Sequence, residues 1–226
     1  MDRMMRAYWD KSLKVNRVQH LVVSDSKHIY LKGEGEDICF QKKDLDHRTC
    51  GNRKMVTRVI AIDEDSGVFY AELWPRDEPL DLVGFLGRAW AEKNSHPMMG
   101  CPEKLCVPAR ALDDQQLREQ VEFVSKLASV PIARAPGGFG PATVACREYE
   151  RQISNTCAMH EGSFLRIVHL AAQELSSLAC SNAMSVFHEH WKAAKPMDKK
   201  LFAAFDGLYD PPGGWRSGDF EKIIKL

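Results

Sequence analysis

The sequence has no excess of charge of either sign. Lysine plus arginine and aspartate plus glutamate each number 31, so no long-range field draws the chain toward nucleic acid or an anionic membrane. Any nucleic-acid contact therefore has to come from a local patch. Closely paired cysteines are also missing. The 7 cysteines, at positions 39, 50, 101, 106, 146, 157 and 180, are odd in number and scattered, which points to reduced thiols in an intracellular protein rather than a disulfide framework. His47 with Cys50, and His96 with Cys101 and Cys106, come nearest to a metal module but lack the paired spacing of zinc sites. No apolar run approaches the roughly 18 residues of a membrane span, and the opening MDRMMRAYWDKSLK has no signal-peptide core. Internal repeats, low-complexity tracts, a GxSxG elbow and a GxxxxGK phosphate loop are all absent.

What is present is a chain of 226 residues, enough to bury a full core. Residues 1–17 read as a polar N-terminal arm. Val18 to Leu31 is rich in β-branched residues and predicts a strand, interrupted near Ser24, Asp25 and Ser26. The charged, glycine-punctuated segment from Lys32 to Arg53 predicts an edge hairpin or a long loop. Met55–Ile62 and Val68–Trp74 predict two strands around the turn Asp63 to Gly67, whose short polar residues and final glycine are hairpin chemistry. Asp63, Glu64 and Asp65 then belong to a hairpin tip.

A helical pattern runs from Pro79 to Trp90, and a short strand lies within Cys101–Pro108. Asp113 is the expected N-cap of a helix with Leu117, Val121, Val124 and Leu127 on its apolar face. A strand at Pro131–Ala135 and a helix from Ala142 to Asn155 follow. The glycine-rich loop Pro136–Pro141 between them lacks the lysine and hydroxyl of a phosphate cradle. Beyond them, Ser163–Lys195 reads as an amphipathic helix before an aromatic tail. Three antiparallel strands and then alternating strand and helix give an α/β fold, a mixed five-stranded sheet flanked by helices with a helical C-terminal extension. The expected divisions are 1–17, 18–157 and 158–226.

In this order, VIAIDEDSGVFYAELWP resembles the second and third strands of the catalytic core of retroviral integrases and the related bacterial transposases, which are ribonuclease H-like. Arg76–Trp90 resembles their first helix, Pro102–Val107 their fourth strand, Val130–Pro136 their fifth, and Gly140–Arg151 the helix with the last catalytic acid. The resemblance covers roughly residues 18–155. It implies three carboxylates gathering two magnesium or manganese ions for phosphodiester transfer.

Asp25, just after Leu21-Val22-Val23, fits the first acid position; its other reading is a turn residue between serines. At the second position stands Pro108, which supplies no ligand. Asp113 and Asp114 follow five and six residues on and are better explained as a helix cap. At the third stands Ala145, with Glu148 about one turn further and Glu150 beyond it. Glu148 is also placed to pair with Arg151. One acid of three in place implies a degenerate site with no bound cofactor, in a protein acting in nucleic-acid association or as an accessory in DNA recombination and integration. Two alternatives stay open. One is an active magnesium- or manganese-dependent strand-transfer enzyme using Asp25, Asp113 or Asp114, and Glu148 or Glu150; the other is a protein-interaction module built from the C-terminal helices. The expected partners are DNA, recombination proteins or a second copy of the chain, and no membrane.

Overall fold

The computed structural model describes residues 17–32, 37–45, 54–91, 98–137 and 140–159. In chain order the elements are β1 (Val18–Lys32), β2 (Asp37–Phe40), β3 (Lys54–Asp63), β4 (Phe69–Pro75), α1 (Leu82–Trp90), β5 (Lys104–Val107), α2 (Ala109–Asp113), α3 (Gln115–Ala128), β6 (Ile132–Arg134) and α4 (Gly140–Met159). The N-terminal arm 1–16, the extension beyond residue 159, and His47, Cys50 and His96 of the zinc-like sets lie outside the described residues. No helix among the described residues is long and apolar enough to cross a membrane.

The β3–β4 hairpin forms where the turn chemistry demands it. The Asp63 carboxylate accepts the Ser66 backbone N–H at 2.9 Å and the Ser66 hydroxyl at 2.6 Å, and Gly67 takes φ of +71°, which a side chain would resist. The sheet order is β4-β3-β1-β5-β6, with β2 also on β1. β3 runs antiparallel to β1 and β4 antiparallel to β3, whereas β5 pairs parallel with β1 and β6 parallel with β5. This is a mixed α/β sheet. It has six strands rather than the expected five, because Asp37–Phe40 pairs with Ile29–Lys32 inside a segment whose charge alone predicts a loop or hairpin.

β1 does not break at Ser24–Ser26 as the sequence predicts; it continues through a bulge. Asp25 is opposite Thr57, and the next registered pair is Tyr30 with Met55, so β1 carries three extra residues there. An odd slip moves every later side chain to the opposite face. Leu21 and Val23 accordingly pack with Val59, α1 and α3 in one core, while Ile29 and Leu31 pack with Ile60, Phe69 and Ala145, Tyr149 and Ile153 of α4 in the other. Asp25 occupies the last regular position before this switch.

The α3 cap also differs. Pro108 turns the chain into the short helix α2, which ends at Asp113, so Asp114 becomes the N-cap and accepts the Leu117 N–H at 3.0 Å. Asp113 is exposed at the end of α2.

Candidate functional site

β5 holds the start of β1 at Val18–His20, and β2 holds its end at Ile29–Lys32, along the same edge. Asp25 lies in the interval between them. Its carboxylate is surrounded by donors from three other elements. The Thr57 hydroxyl of β3 donates to Oδ1 at 2.8 Å, Arg110 Nη1 of α2 donates to Oδ1 at 2.9 Å, and Arg76 Nε, just after β4, lies 3.5 Å from Oδ2. Burial pushes the Asp25 carboxyl upward, but the bonds from Arg110 and Thr57 and the charges of Arg110 and Arg76 outweigh it and hold the group below its ordinary range.

On the other face of the sheet, α4 contributes Glu150. Its Oε1 accepts the Ser26 hydroxyl at 2.7 Å and pairs with Arg58 Nη1 at 2.8 Å. Ser26 in turn accepts the N–H groups of His28 and Ile29 at 3.2 and 3.0 Å, which gives the bulge its backbone partners. Arg58 Nη2 donates to the Asp25 carbonyl at 3.0 Å. Arg58 thus links the two carboxylate centres through the β1 backbone, while the carboxylates themselves stay on opposite faces.

The remaining candidates go elsewhere. Pro108 caps α2, its carbonyl accepting from Ala111 and Leu112 at 3.0 and 3.2 Å. Ala145 is buried against the sheet with Tyr149 and Ile153. Glu148 lies on the flank of α4, bonded by Arg151 Nε and Nη2 at 3.0 and 2.7 Å. The structure therefore brings Asp25 together with Thr57, Arg110 and Arg76, while Asp113 ends α2 and Glu148 pairs with Arg151. Of the α4 carboxylates, Glu150 is the one bonded to β1.

The donor set around Asp25 does not fit a pair of divalent ions. Two guanidinium groups stand against its carboxylate, and no three His, Cys, Asp or Glu side chains among the described residues are grouped to hold a metal. A dication beside Arg110 and Arg76 would meet like charge at close range. Cys101 and Cys157 are not poised as nucleophiles either: burial pushes both thiols up to about 11.

Arg110 and Arg76 carry no motif, and reading alone does not single them out. The only available signal is topological: each comes within three residues of the end of a strand that runs parallel to β1.

No protein-family model and no curated protein matches the chain. Among solved structures it is similar to the catalytic core domain of BIV integrase, with 8% sequence identity over 93% of this chain and 96% of that one, at a TM-score of 0.39. A score of that size establishes no shared fold.

Proposed function

We propose that the chain is an integrase- or transposase-core-like protein whose acidic centre no longer works as a metal site, and that it acts in nucleic-acid association or as an accessory in DNA recombination. The observation that carries this reading is the pairing of Asp25 with Arg110 and Arg76. The one acid at its expected position is neutralised by fixed cations, Pro108 supplies no ligand, and Ala145 faces an apolar core. A two-ion mechanism needs carboxylates that face the ions together; here the charge beside Asp25 is already positive.

The test is incubation of the purified full chain with supercoiled and pre-nicked DNA in magnesium or manganese. The expected outcome is no nicking or strand transfer above the level of Asp25→Asn. Metal-dependent product from the wild type that disappears in Asp25→Asn would sink the reading.

A further inference from the structure

We propose that Asp25 acts as an internal counter-anion that competes with a nucleic-acid phosphate for Arg110 and Arg76, so that this aspartate limits binding instead of supporting it. The inference rests on the nucleic-acid-associating reading above and deepens it by assigning the ligand group and the sign of the Asp25 effect.

The topology makes the site. β4 is antiparallel to β3, and β3 to β1, so β1, β4, β5 and β6 share one direction. The residues leaving β4 and β5 arrive at the same end of the sheet. Arg76 directly follows Pro75, Arg110 follows Val107 through the Pro108 turn, and both reach Asp25. The carboxyl ends of strands in an open α/β sheet are where ligands bind. The cluster is also open to solvent, with side-chain exposures of 44% for Arg110, 31% for Arg76 and 26% for Asp25.

Charge and geometry then select the ligand. On this face the single Asp25 carboxylate holds both Arg76 and Arg110, while Arg58 pairs with Glu150 on the other. Asp77 and Glu78 follow Arg76 in the chain, so these guanidinium groups are confined to the surroundings of Asp25 and form no broad basic patch. A guanidinium offers a planar fork of donors that fits phosphate oxygens, and Arg110 is bonded to Asp25 through Nη1. A phosphate oxygen approaching that fork meets a carboxylate of its own sign. Where metal ions bridge acid and phosphate, such a carboxylate assists binding; where arginines are the cations, it opposes it.

The test measures binding of the full chain to a labelled mixed-sequence DNA duplex by fluorescence anisotropy, with chelator present and salt varied. Asp25→Asn keeps an acceptor for Thr57 and removes the charge; it should tighten binding roughly three- to fivefold, the scale of a partly exposed ion pair. Arg110→Gln should weaken binding by a similar factor and make the logarithmic salt slope shallower by about one. Combined with Arg110→Gln, the gain from Asp25→Asn should shrink.

Circular dichroism melts establish that each variant is folded, and the exposed Arg110→Gln change tests the idea even if Asp25→Asn does not fold. Unchanged or weaker binding in folded Asp25→Asn, wild-type binding in Arg110→Gln, or inorganic phosphate competing as well per phosphate as the duplex would each overturn the proposal. Those results leave the absence of metal-dependent nicking untouched. Nicking overturns the earlier reading whichever way the affinities move.

Discussion

Two arginine–carboxylate clusters lie on one face of the same sheet and differ mainly in water. Arg88 of α1 grips Glu72 of β4 through Nε and Nη2, both at 2.8 Å, and the Tyr70 hydroxyl donates to the same carboxylate at 2.8 Å. Their side chains are only 9% and 2% exposed. Burial works against the Arg88 charge, and the Glu72 charge more than reverses it; the Tyr70 phenol is driven well above its ordinary range by burial and by Glu72. Every carboxylate oxygen is taken, and water is excluded, so this pair ties helix to strand. The Asp25 cluster uses the same groups with single, longer or shared bonds at the surface, where an external anion can exchange with the internal one. Residue type alone does not separate tie from site; burial does.

The largest effects should therefore come from the interior cluster. Arg88→Ala leaves Glu72 buried without its cation and is expected to cost about 3–5 kcal/mol, read as the shift in urea unfolding. Replacing both partners, with Arg88→Met and Glu72→Leu, should recover most of that loss. If the single and double variants are equally destabilised, lost packing and not the orphaned charge is responsible. Gly84→Ala comes next. A Cβ there would run into the Asp81 carboxylate and lie 2.8 Å from Arg88 Nη1, so overpacking should cost about 1–3 kcal/mol in the same assay. A neutral result would mean that the Asp81 cap yields easily.

Much of this architecture was legible because it is written in local chemistry. The Asp63–Gly67 turn between two apolar runs predicts the hairpin that forms, and the order of elements predicts a mixed sheet flanked by helices. The misses have tertiary causes. Of the edge hairpin and the long loop that Lys32–Arg53 allows, Asp37–Phe40 takes the hairpin because β1 offers an edge beyond its bulge, and this adds the sixth strand. The cap moves from Asp113 to Asp114 because Pro108 nucleates a helix too short to leave a periodic pattern. The phase of α4 was the hardest to read: Arg147 to Gln152 is almost wholly polar, and only packing of Ala145, Tyr149 and Ile153 against the sheet turns Glu150 toward Ser26 and Glu148 to the flank. Asp25 was visible as a candidate, but its arginine partners come from two other elements.

The Glu150 centre on the opposite face, tied to Asp25 through Arg58, should show intermediate effects. Glu150→Ala removes the acceptor for both Ser26 and Arg58, and is expected to cost about 1–3 kcal/mol. Because Ser26 organises the bulge, that variant should also speed amide exchange at His28 and Ile29; unchanged exchange would mean the bulge stands without α4. Asp25→Asn should cost less, about 0.5–1 kcal/mol near neutral pH. Its pH dependence has a definite sign. The folded-state pKa is lowered from the ordinary 3.8, so the stabilisation is fully present above that value and is lost as pH falls through the lower folded value. The gap between wild type and Asp25→Asn in urea midpoints should stay constant from neutral pH down to about 4 and close below it. A gap that instead widened in acid would mean that Arg110 and Arg76 do not govern this carboxylate.

The smallest effect should come from Glu148, although the resemblance to integrase cores draws attention to it. Its bonds to Arg151, at 3.0 and 2.7 Å, have the geometry of a strong pair, yet the side chains are 60% exposed for Arg151 and 38% for Glu148. An i,i+3 pair in water is screened and costs side-chain freedom, so Glu148→Gln should shift stability by no more than about 0.5 kcal/mol. It should also leave duplex affinity where the wild type has it, because nothing ties Glu148 to Arg110 or Arg76. Asp25→Asn and Glu148→Gln are matched in net charge and each frees an arginine, but only the first frees Arg110 and Arg76. Equal tightening by the two would reduce the Asp25 effect to net charge, and tightening confined to Asp25→Asn would assign it to the arginines that the aspartate holds.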